Sequence, residues 1–229
     1  MKKVLLPLVA LVVLMAPAVY ADPIGDVTAP CGKPALSVGY FYENQKLELK
    51  DSDARTKFRS HQMYGEGAFG FAQGWDAFLR FGGATAKVEI GDNATFKDDL
   101  TPYGSVGIRG TLPITKGFAI GPFAKFNYYG DWKDTIYGED VKIKDNWDVM
   151  AGLTGKITIE KMVLYGGPFY YYTYSKVTAG GESDKMKTNR NIGALLGMKV
   201  PVTAKISLNA EGQYKSDRIS GGVFASYLF

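Results

Sequence analysis

Cysteine and histidine are almost absent from this sequence, which contains one of each, Cys31 and His61. A single cysteine excludes an intramolecular disulfide, so we predict a free thiol and a fold that is stable without covalent cross-links. One histidine far along the chain from one cysteine excludes a zinc site built from the usual nitrogen and sulfur ligands. The loop carboxylates also lack the spacing of a calcium-binding loop. We therefore predict neither a metal site nor a cofactor.

The chain also lacks an apolar run long enough for a membrane helix. The longest, Val4–Met15, covers about 12 residues and contains Pro7, whereas a helix needs roughly 20 residues to cross a bilayer. This run follows two lysines and precedes a small-residue stretch that ends at Ala21, an order typical of a cleaved signal peptide. We predict a signal peptide over residues 1–21, cleaved between Ala21 and Asp22, and therefore export of the protein.

Neither sign of charge is in large excess. The 27 basic residues of the whole chain fall to 25 without Lys2 and Lys3, against 23 acidic residues, so the mature net charge is about +2. A balance this close gives no basic surface of the kind that binds nucleic acid, and we predict no nucleic-acid partner.

The chain contains repeated segments in which apolar and polar residues alternate, and no segment has a sustained helical period. An aromatic content of 14% and 28 glycines agree with strands that bend and pack closely. Each segment is long enough for a tilted transmembrane strand, which needs about 9 to 11 residues. We predict ten strands, at residues 35–45, 59–72, 75–87, 102–114, 117–129, 145–158, 162–174, 189–201, 204–215 and 218–229.

The connections between these strands alternate between short and long. Tight turns are predicted at 73–74, 115–116, 160–161 and 202–203, and long polar loops at 46–58, 89–101, 130–144 and 175–188. At the end of the barrel that carries the long loops, only the last hairpin, at 215–218, has a short loop. Short periplasmic turns and long external loops are typical of an outer-membrane barrel, and an even number of strands places both termini in the periplasm. Residues 22–34 are then a flexible periplasmic lead-in and residues 35–229 the barrel.

The alternation also separates two faces. In the strand at 204–215, Ile206 and Leu208 share one face, while Asn209 and Glu211 share the other. Aromatic residues on the apolar face concentrate near strand ends, and two such girdles mark the two interfaces of a bilayer. This favours a membrane barrel with a polar lumen over a soluble barrel with an apolar core. The predicted girdle residues are Tyr40, Tyr42, Phe71, Trp75, Phe118, Tyr128, Trp147, Tyr172, Tyr174 and Tyr214.

Charged residues of nearly balanced sign fall on the opposite, lumen-facing side. A barrel of about eight to ten strands has an interior only wide enough to be largely filled by side chains. Unpaired buried charges are costly, so these residues are predicted to form a structural network of ion pairs that plugs the lumen, or to line a narrow polar path. The predicted network comprises Glu43, Glu66, Asp76, Arg80, Arg109, Lys125, Asp148, Lys156, Lys199, Lys205 and Glu211.

The chain ends with Gly221, Val223, Ala225, Tyr227 and Phe229 on one face. This pattern resembles the carboxy-terminal signal of outer-membrane β-barrels, and the resemblance implies recognition by the barrel-insertion machinery. From Pro34 to Phe229 the chain resembles the small bacterial outer-membrane barrel superfamily, which includes the opacity-protein-like and OmpA-barrel-like proteins. The resemblance is one of architecture: an all-β, antiparallel, up-and-down transmembrane barrel in a Gram-negative outer membrane, here with ten strands or alternatively eight.

No catalytic residues are predicted. Ser60 and His61 are adjacent in a strand and therefore point to opposite faces, so they cannot form a hydrogen-bonded catalytic pair. Our first hypothesis is a surface protein of structural or adhesive type, with outer-membrane lipid, lipopolysaccharide and an unidentified extracellular molecule as partners. The alternative is a narrow porin-like pore for small solutes, and a barrel enzyme comes third.

Overall fold

The computed structural model describes residues 23–48, 55–90, 94–136, 139–179, 182–187, 191–215 and 218–229. The predicted signal peptide and the cleavage site between Ala21 and Asp22 lie outside the described residues. Within the described ranges, no helix is long and apolar enough to cross a membrane.

The described chain is almost entirely β-strand, as the alternation predicts. The strands are β1 (Pro34–Glu48), β2 (Arg55–Ala72), β3 (Trp75–Ile90), β4 (Ala94–Gly110), β5 (Leu112–Pro113), β6 (Phe118–Tyr129), β7 (Trp132–Ile136), β8 (Glu139–Ile159), β9 (Met162–Ala179), β10 (Glu182–Lys187), β11 (Ile192–Pro201), β12 (Ile206–Lys215) and β13 (Arg218–Leu228).

Ten of these strands form a closed antiparallel barrel in the order β1, β2, β3, β4, β6, β8, β9, β11, β12 and β13. The seam closes where β13 pairs with β1, from Ala35 opposite Leu228 to Gln45 opposite Arg218. Closure satisfies the backbone hydrogen bonds of every barrel strand, which is what a strand in hydrocarbon requires. The prediction of an all-β barrel with ten strands is confirmed. The strands β5, β7 and β10 are additions that pair with β6, β8 and β9.

The outer wall of the barrel is apolar and its interior is polar. In β12, Asn209 and Glu211 are buried inside while Leu208 and Tyr214 are about half exposed on the outer wall. The predicted girdle residues all fall on the outer wall as exposed or half-buried side chains. Trp147 stacks there against Tyr174 at a centroid distance of 5.6 Å. Their position at the two membrane interfaces stays a prediction.

The two ends of the barrel differ. We call the end with the chain termini and tight turns proximal and the opposite end distal. At the distal end, β7, residues 139–144 of β8, residues 176–179 of β9, and β10 form a four-stranded antiparallel sheet, the distal sheet. The prediction of long polar loops at 130–144 and 175–188 is therefore wrong for most of their length. Residues 55–58 and 94–101, also predicted as loop, belong to β2 and β4. Their local alternation is real, because Trp132, Val141, Ile143 and Val177 are buried on the inner side of this sheet.

Candidate functional site: the barrel lumen

The lumen contains a stretch of the chain's own amino-terminal region, residues 23–33, which we call the inner segment. Ile24, Asp26 and Ala29 are buried inside the barrel. The segment leaves the lumen beside β2, where the Gly32 amide donates to the Gly70 carbonyl at 2.7 Å. The prediction of a flexible periplasmic lead-in over residues 22–34 does not agree with this placement. The inner segment has no periodic pattern. Lumen side chains bind its backbone over residues 23–29, and only its last residues pair with β2.

Four charged residues at the proximal end form one connected cluster. Glu66 faces Arg80 across β2 and β3, and Asp76 faces Arg109 across β3 and β4. Arg80 Nε donates to Glu66 Oε2 at 2.5 Å, Arg109 Nη2 to Glu66 Oε1 at 2.7 Å, and Arg109 Nε to Asp76 Oδ1 at 2.8 Å. All four side chains are almost fully buried. Two cations and two anions in contact leave little net charge in this part of the lumen.

The same cluster binds the backbone of the inner segment. Arg80 donates to the carbonyl of Pro23, and Arg109 Nη1 donates to the carbonyl of Ile24 at 2.7 Å. On the other side, Asp76 Oδ2 accepts from the amides of Thr28 and Ala29 at 2.7 and 3.0 Å. Arginines therefore bind carbonyls and a carboxylate binds amides, as the polarity of the peptide group demands.

Three further predicted network residues hold the same segment. Glu211 accepts from the amides of Ile24 and Gly25, one on each carboxylate oxygen, at 2.9 Å each. Lys156 Nζ lies 2.6 Å from Asp26 Oδ1, and Lys199 Nζ lies 3.5 Å from Asp26 Oδ2. Asp26 is thus the acidic partner for two lumen lysines, a role that the sequence analysis assigned to strand residues.

Apolar contacts complete the fit of the inner segment. Ile24 belongs to a buried cluster formed with Phe123, Met150, Tyr165, Phe169, Tyr171 and Leu195. Gly25 has φ of +72°, and a Cβ atom there would lie 2.6 Å from Cζ of Phe224 and 3.0 Å from Nη1 of Arg109. Both the backbone conformation and the lack of space require glycine at this position.

A second charged cluster lies nearer the distal end. Asp148 accepts two hydrogen bonds from Asn127 Nδ2, both at 3.1 Å. Arg218 Nη1 lies 3.9 Å from Glu43 Oε1. Lys215 interacts electrostatically with both Asp148 and Glu43. The lumen therefore contains charged layers at two heights.

Part of this distal cluster was predicted from the sequence. Glu43, Lys125 and Asp148 were predicted in the lumen, and all three are buried there. Lys215 and Arg218 were not predicted, because both border the short last hairpin. The parity of β12 was the available signal for Lys215, which is two residues beyond the buried Gln213 and is itself buried.

Lys205 does not belong to the lumen network. It is exposed in the turn before β12, and its Nζ lies 5.7 Å from the centroid of the Tyr227 ring on the outer wall. The prediction is wrong because β12 begins at Ile206, so the alternation of the strand does not extend to Lys205. The long side chain turns outward, where its ammonium stays hydrated beside an aromatic ring.

Ser60 and His61 lie on opposite faces of β2. Ser60 is buried inside the barrel, whereas His61 is exposed on the outer wall, with Nδ1 2.6 Å from the Tyr40 hydroxyl oxygen. Among the side chains that the structure describes, no group of three or more histidines, cysteines, aspartates and glutamates is arranged to hold a metal ion.

The placement of the inner segment predicts a large difference in thiol reactivity. Cys31 is exposed, whereas Ile24 is 2% exposed. A cysteine at position 24, made as Ile24→Cys in a Cys31→Ser background, is expected to react with a maleimide roughly a hundredfold more slowly than native Cys31. That factor corresponds to a local opening cost of about 3 kcal/mol. Equal labelling rates in the folded barrel would contradict the placement of residues 23–29, and equal rates are expected only after heat unfolding.

A closed antiparallel barrel with an apolar outer wall and a charged interior has the fold of an outer-membrane β-barrel. The structure is similar to the translocator domain of the autotransporter NalP from Neisseria meningitidis, with a TM-score of 0.58, 13% identity, and coverage of 86% of this chain and 88% of that one. The transport unit of the autotransporter AIDA-I from Escherichia coli gives a TM-score of 0.56 at 12% identity, over 96% and 97% of the two chains. The COG4313 outer membrane channel from Pseudomonas putida F1 gives 0.55 at 10% identity, over 92% and 100%.

At these identities the likeness concerns the fold. The architecture expected from the carboxy-terminal resemblance is therefore present. No family model and no curated protein matches the sequence.

Proposed function

We propose that this protein is a non-catalytic outer-membrane barrel whose lumen is closed to solutes, and that it acts at the cell surface as a structural and interaction protein. In this proposal, export removes residues 1–21 and leaves the inner segment at the mature amino terminus. The distal end then faces outward and presents the distal sheet. The observation that carries the proposal is the inner segment itself, bound within the lumen by charged residues from opposite sides of the barrel.

The energetics of the lumen support closure. A ten-stranded barrel has little interior space beyond its own side chains. The inner segment occupies part of that space, and its withdrawal would remove hydrogen bonds from Asp76, Glu211 and both arginines of the proximal cluster at once. Each buried polar group left without a partner costs about 1–3 kcal/mol. Spontaneous withdrawal of the segment is therefore expected to be rare.

A narrow pore is the second candidate. It is favoured by the charged lining at two heights and by the similarity of fold to a protein described as an outer membrane channel. A pore requires a continuous polar path past both the inner segment and the distal cluster around Lys215 and Asp148. The first hypothesis needs no such path.

Catalysis has no part in the proposal. His61 contacts Tyr40 on the outer wall, while Ser60 lies inside the barrel, so these two side chains cannot exchange a proton directly.

Planar-bilayer recordings of the refolded protein separate the two candidates. The wild-type barrel is expected to show no steady openings, because the inner segment and the distal cluster both occupy the lumen. Flotation with vesicles and a shift in electrophoretic mobility on boiling establish that the same preparation is inserted and folded. Steady openings by wild-type protein that passes both controls would contradict closure and favour the narrow pore.

A further inference from the structure

Five lysines lie on the outward face of the distal sheet, and we call this group the lysine face. It is spread over all four strands of the sheet. Its members are Lys133 on β7, Lys142 and Lys144 on β8, Lys176 on β9 and Lys185 on β10. The acidic residues on or beside this face among the described side chains are three: Asp131, whose Oδ2 lies 3.2 Å from Lys142 Nζ, Asp140, which accepts a hydrogen bond from Thr135, and Asp145, which is exposed next to Lys144. Positive charge therefore exceeds negative charge on the face.

The lysines are placed directly opposite one another in the strand register. Lys133 pairs with Lys142, while Lys144 pairs with Lys176, which in turn pairs with Lys185. Directly opposite residues have Cβ atoms about 4.5–5.5 Å apart, and like charges at such positions destabilise a sheet. The positive charges of Lys142 and Lys133 also repel that of Lys144. An arrangement that is unfavourable in isolation becomes favourable when an anion binds to it.

The backbone holds these side chains on the outer wall. At the β-bulge between Lys144 and Trp147, Asp145 has φ of +53°. On the barrel side of the bulge, even-numbered residues such as Asp148 face the lumen. On the distal side, the even-numbered Lys142 and Lys144 face outward, because the bulge exchanges the two faces of the strand. The other side of the distal sheet is a buried apolar layer that contains Trp132, so the sheet is anchored from within.

The lysine face begins where the outer aromatic residues end. Trp147, Tyr172 and Tyr174 form a connected aromatic group on the outer wall, with centroid distances of 5.6 Å from Trp147 to each tyrosine. Lys176 lies two residues beyond Tyr174 on the same face of β9, which is about 7 Å along the strand. Aromatic side chains of this kind settle at the headgroup level of a membrane. With the aromatic group at its predicted interface, the lysines are expected at the height of the lipid phosphates, with their side chains toward the lipid.

We propose that the lysine face binds the phosphate groups of lipid A, the anchor of lipopolysaccharide, in the outer leaflet around the barrel. The inference rests on the proposed orientation, in which the distal end faces the cell exterior, and it names a lipid partner for the proposed surface role. Phosphate oxygens accept charge-assisted hydrogen bonds from ammonium groups, and several phosphates offset the repulsion between opposed lysines. The neighbouring aromatic group packs against the same lipid below its phosphates.

The test measures lipid A binding by the full-length refolded barrel in phosphatidylcholine vesicles that contain increasing fractions of diphosphoryl lipid A. The double variant Lys144→Gln/Lys176→Gln is expected to bind roughly thirtyfold more weakly than wild type, since each lysine near an anionic membrane surface contributes about fivefold. The matched control is Lys116→Gln/Lys161→Gln, which removes the same charge from two proximal turns and is expected to bind like wild type. The charge-preserving variant Lys144→Arg/Lys176→Arg is expected to retain binding.

Equal weakening in the test and control variants would overturn the proposal, because net charge alone would then explain binding. Full binding by the glutamine double variant would also overturn it. If soluble polyphosphate competed as strongly as lipid A, the ligand would be a soluble polyanion and the lipid proposal would be wrong. Boiling-dependent mobility verifies that each variant is folded. This experiment measures no conductance, so failure of the lipid A proposal is distinguishable from failure of the closed-lumen proposal.

Discussion

Replacing Arg109 with methionine is expected to lower the free energy of unfolding by about 3–5 kcal/mol, the usual cost of breaking a buried ion pair from one side. Arg109 donates to both Glu66 and Asp76, and it also binds the carbonyl of Ile24 and the hydroxyl of Thr28. Methionine fills part of the space but donates no hydrogen bond, so Asp76 loses its arginine partner while Glu66 keeps Arg80. Urea titration in detergent, followed by boiling-dependent mobility, measures the loss.

Two further variants test whether the loss of stability in Arg109→Met comes from the proximal cluster. Arg59→Met removes a half-exposed arginine that lies 3.5 Å from Glu89, and it is expected to cost less than about 1 kcal/mol. Adding Asp76→Asn to Arg109→Met is expected to recover part of the stability, because Asp76 is the buried carboxylate that loses its arginine, whereas Glu66 keeps Arg80. A similar loss from Arg59→Met, or no recovery in the double variant, would show that the proximal cluster is not the source of the effect.

Gly25→Val is expected to displace the inner segment and to convert a silent barrel into one with frequent openings in planar bilayers. The valine Cβ would lie 2.6 Å from Phe224 and 3.0 Å from Arg109, and a left-handed conformation costs a residue with a side chain about 1–2 kcal/mol. Neither neighbour can move far, because Phe224 is buried in the seam strand β13 and Arg109 is bound on several sides. The segment is therefore expected to leave, which frees the proximal lumen.

Gly32→Val is the matched control for this experiment. Gly32 has φ of +74°, close to that of Gly25, but a Cβ atom there would meet no atom within 4 Å. The two variants share the same backbone strain and differ in the steric clash inside the lumen. Gly32→Val is expected to stay silent. If Gly25→Val is also silent while the thiol introduced by Ile24→Cys in the Cys31→Ser background becomes reactive to maleimide, the distal cluster alone closes the barrel. If both variants conduct, closure does not depend on the fit of Gly25.

The strands and their faces were accessible from the sequence because each barrel strand repeats one simple environment. Lipid and lumen alternate with period two, so Leu208 and Glu211 reveal their faces without any knowledge of neighbouring strands. The same parity placed Glu66, Arg80 and Arg109 in the lumen, where the structure has them. It failed at Lys205, which lies in a turn and is not constrained by the pleat of β12.

The distal sheet could be predicted only in part from the sequence. Residues 139–144 alternate, but the many lysines and aspartates around them favoured an interpretation as solvated loops. A strand that leaves the membrane can present charged side chains outward and still bury Val141 and Ile143 on its other side. The bulge at Asp145 was not accessible at all, because it exchanges the two faces and depends on the pairing of β8 with β9.

By itself the sequence determined ten strands, a polar lumen and an apolar wall, because these properties depend on local composition and on a period of two. Only the tertiary structure decided what fills the lumen. Residues 23–33 carry no pattern of their own, and Ile24 and Gly25 acquire their positions from Glu211, Arg109 and Asp76, which come from strands far apart in the chain. The position of such a segment depends on long-range hydrogen bonds and on the shape of a closed cavity, neither of which exists until the barrel has formed.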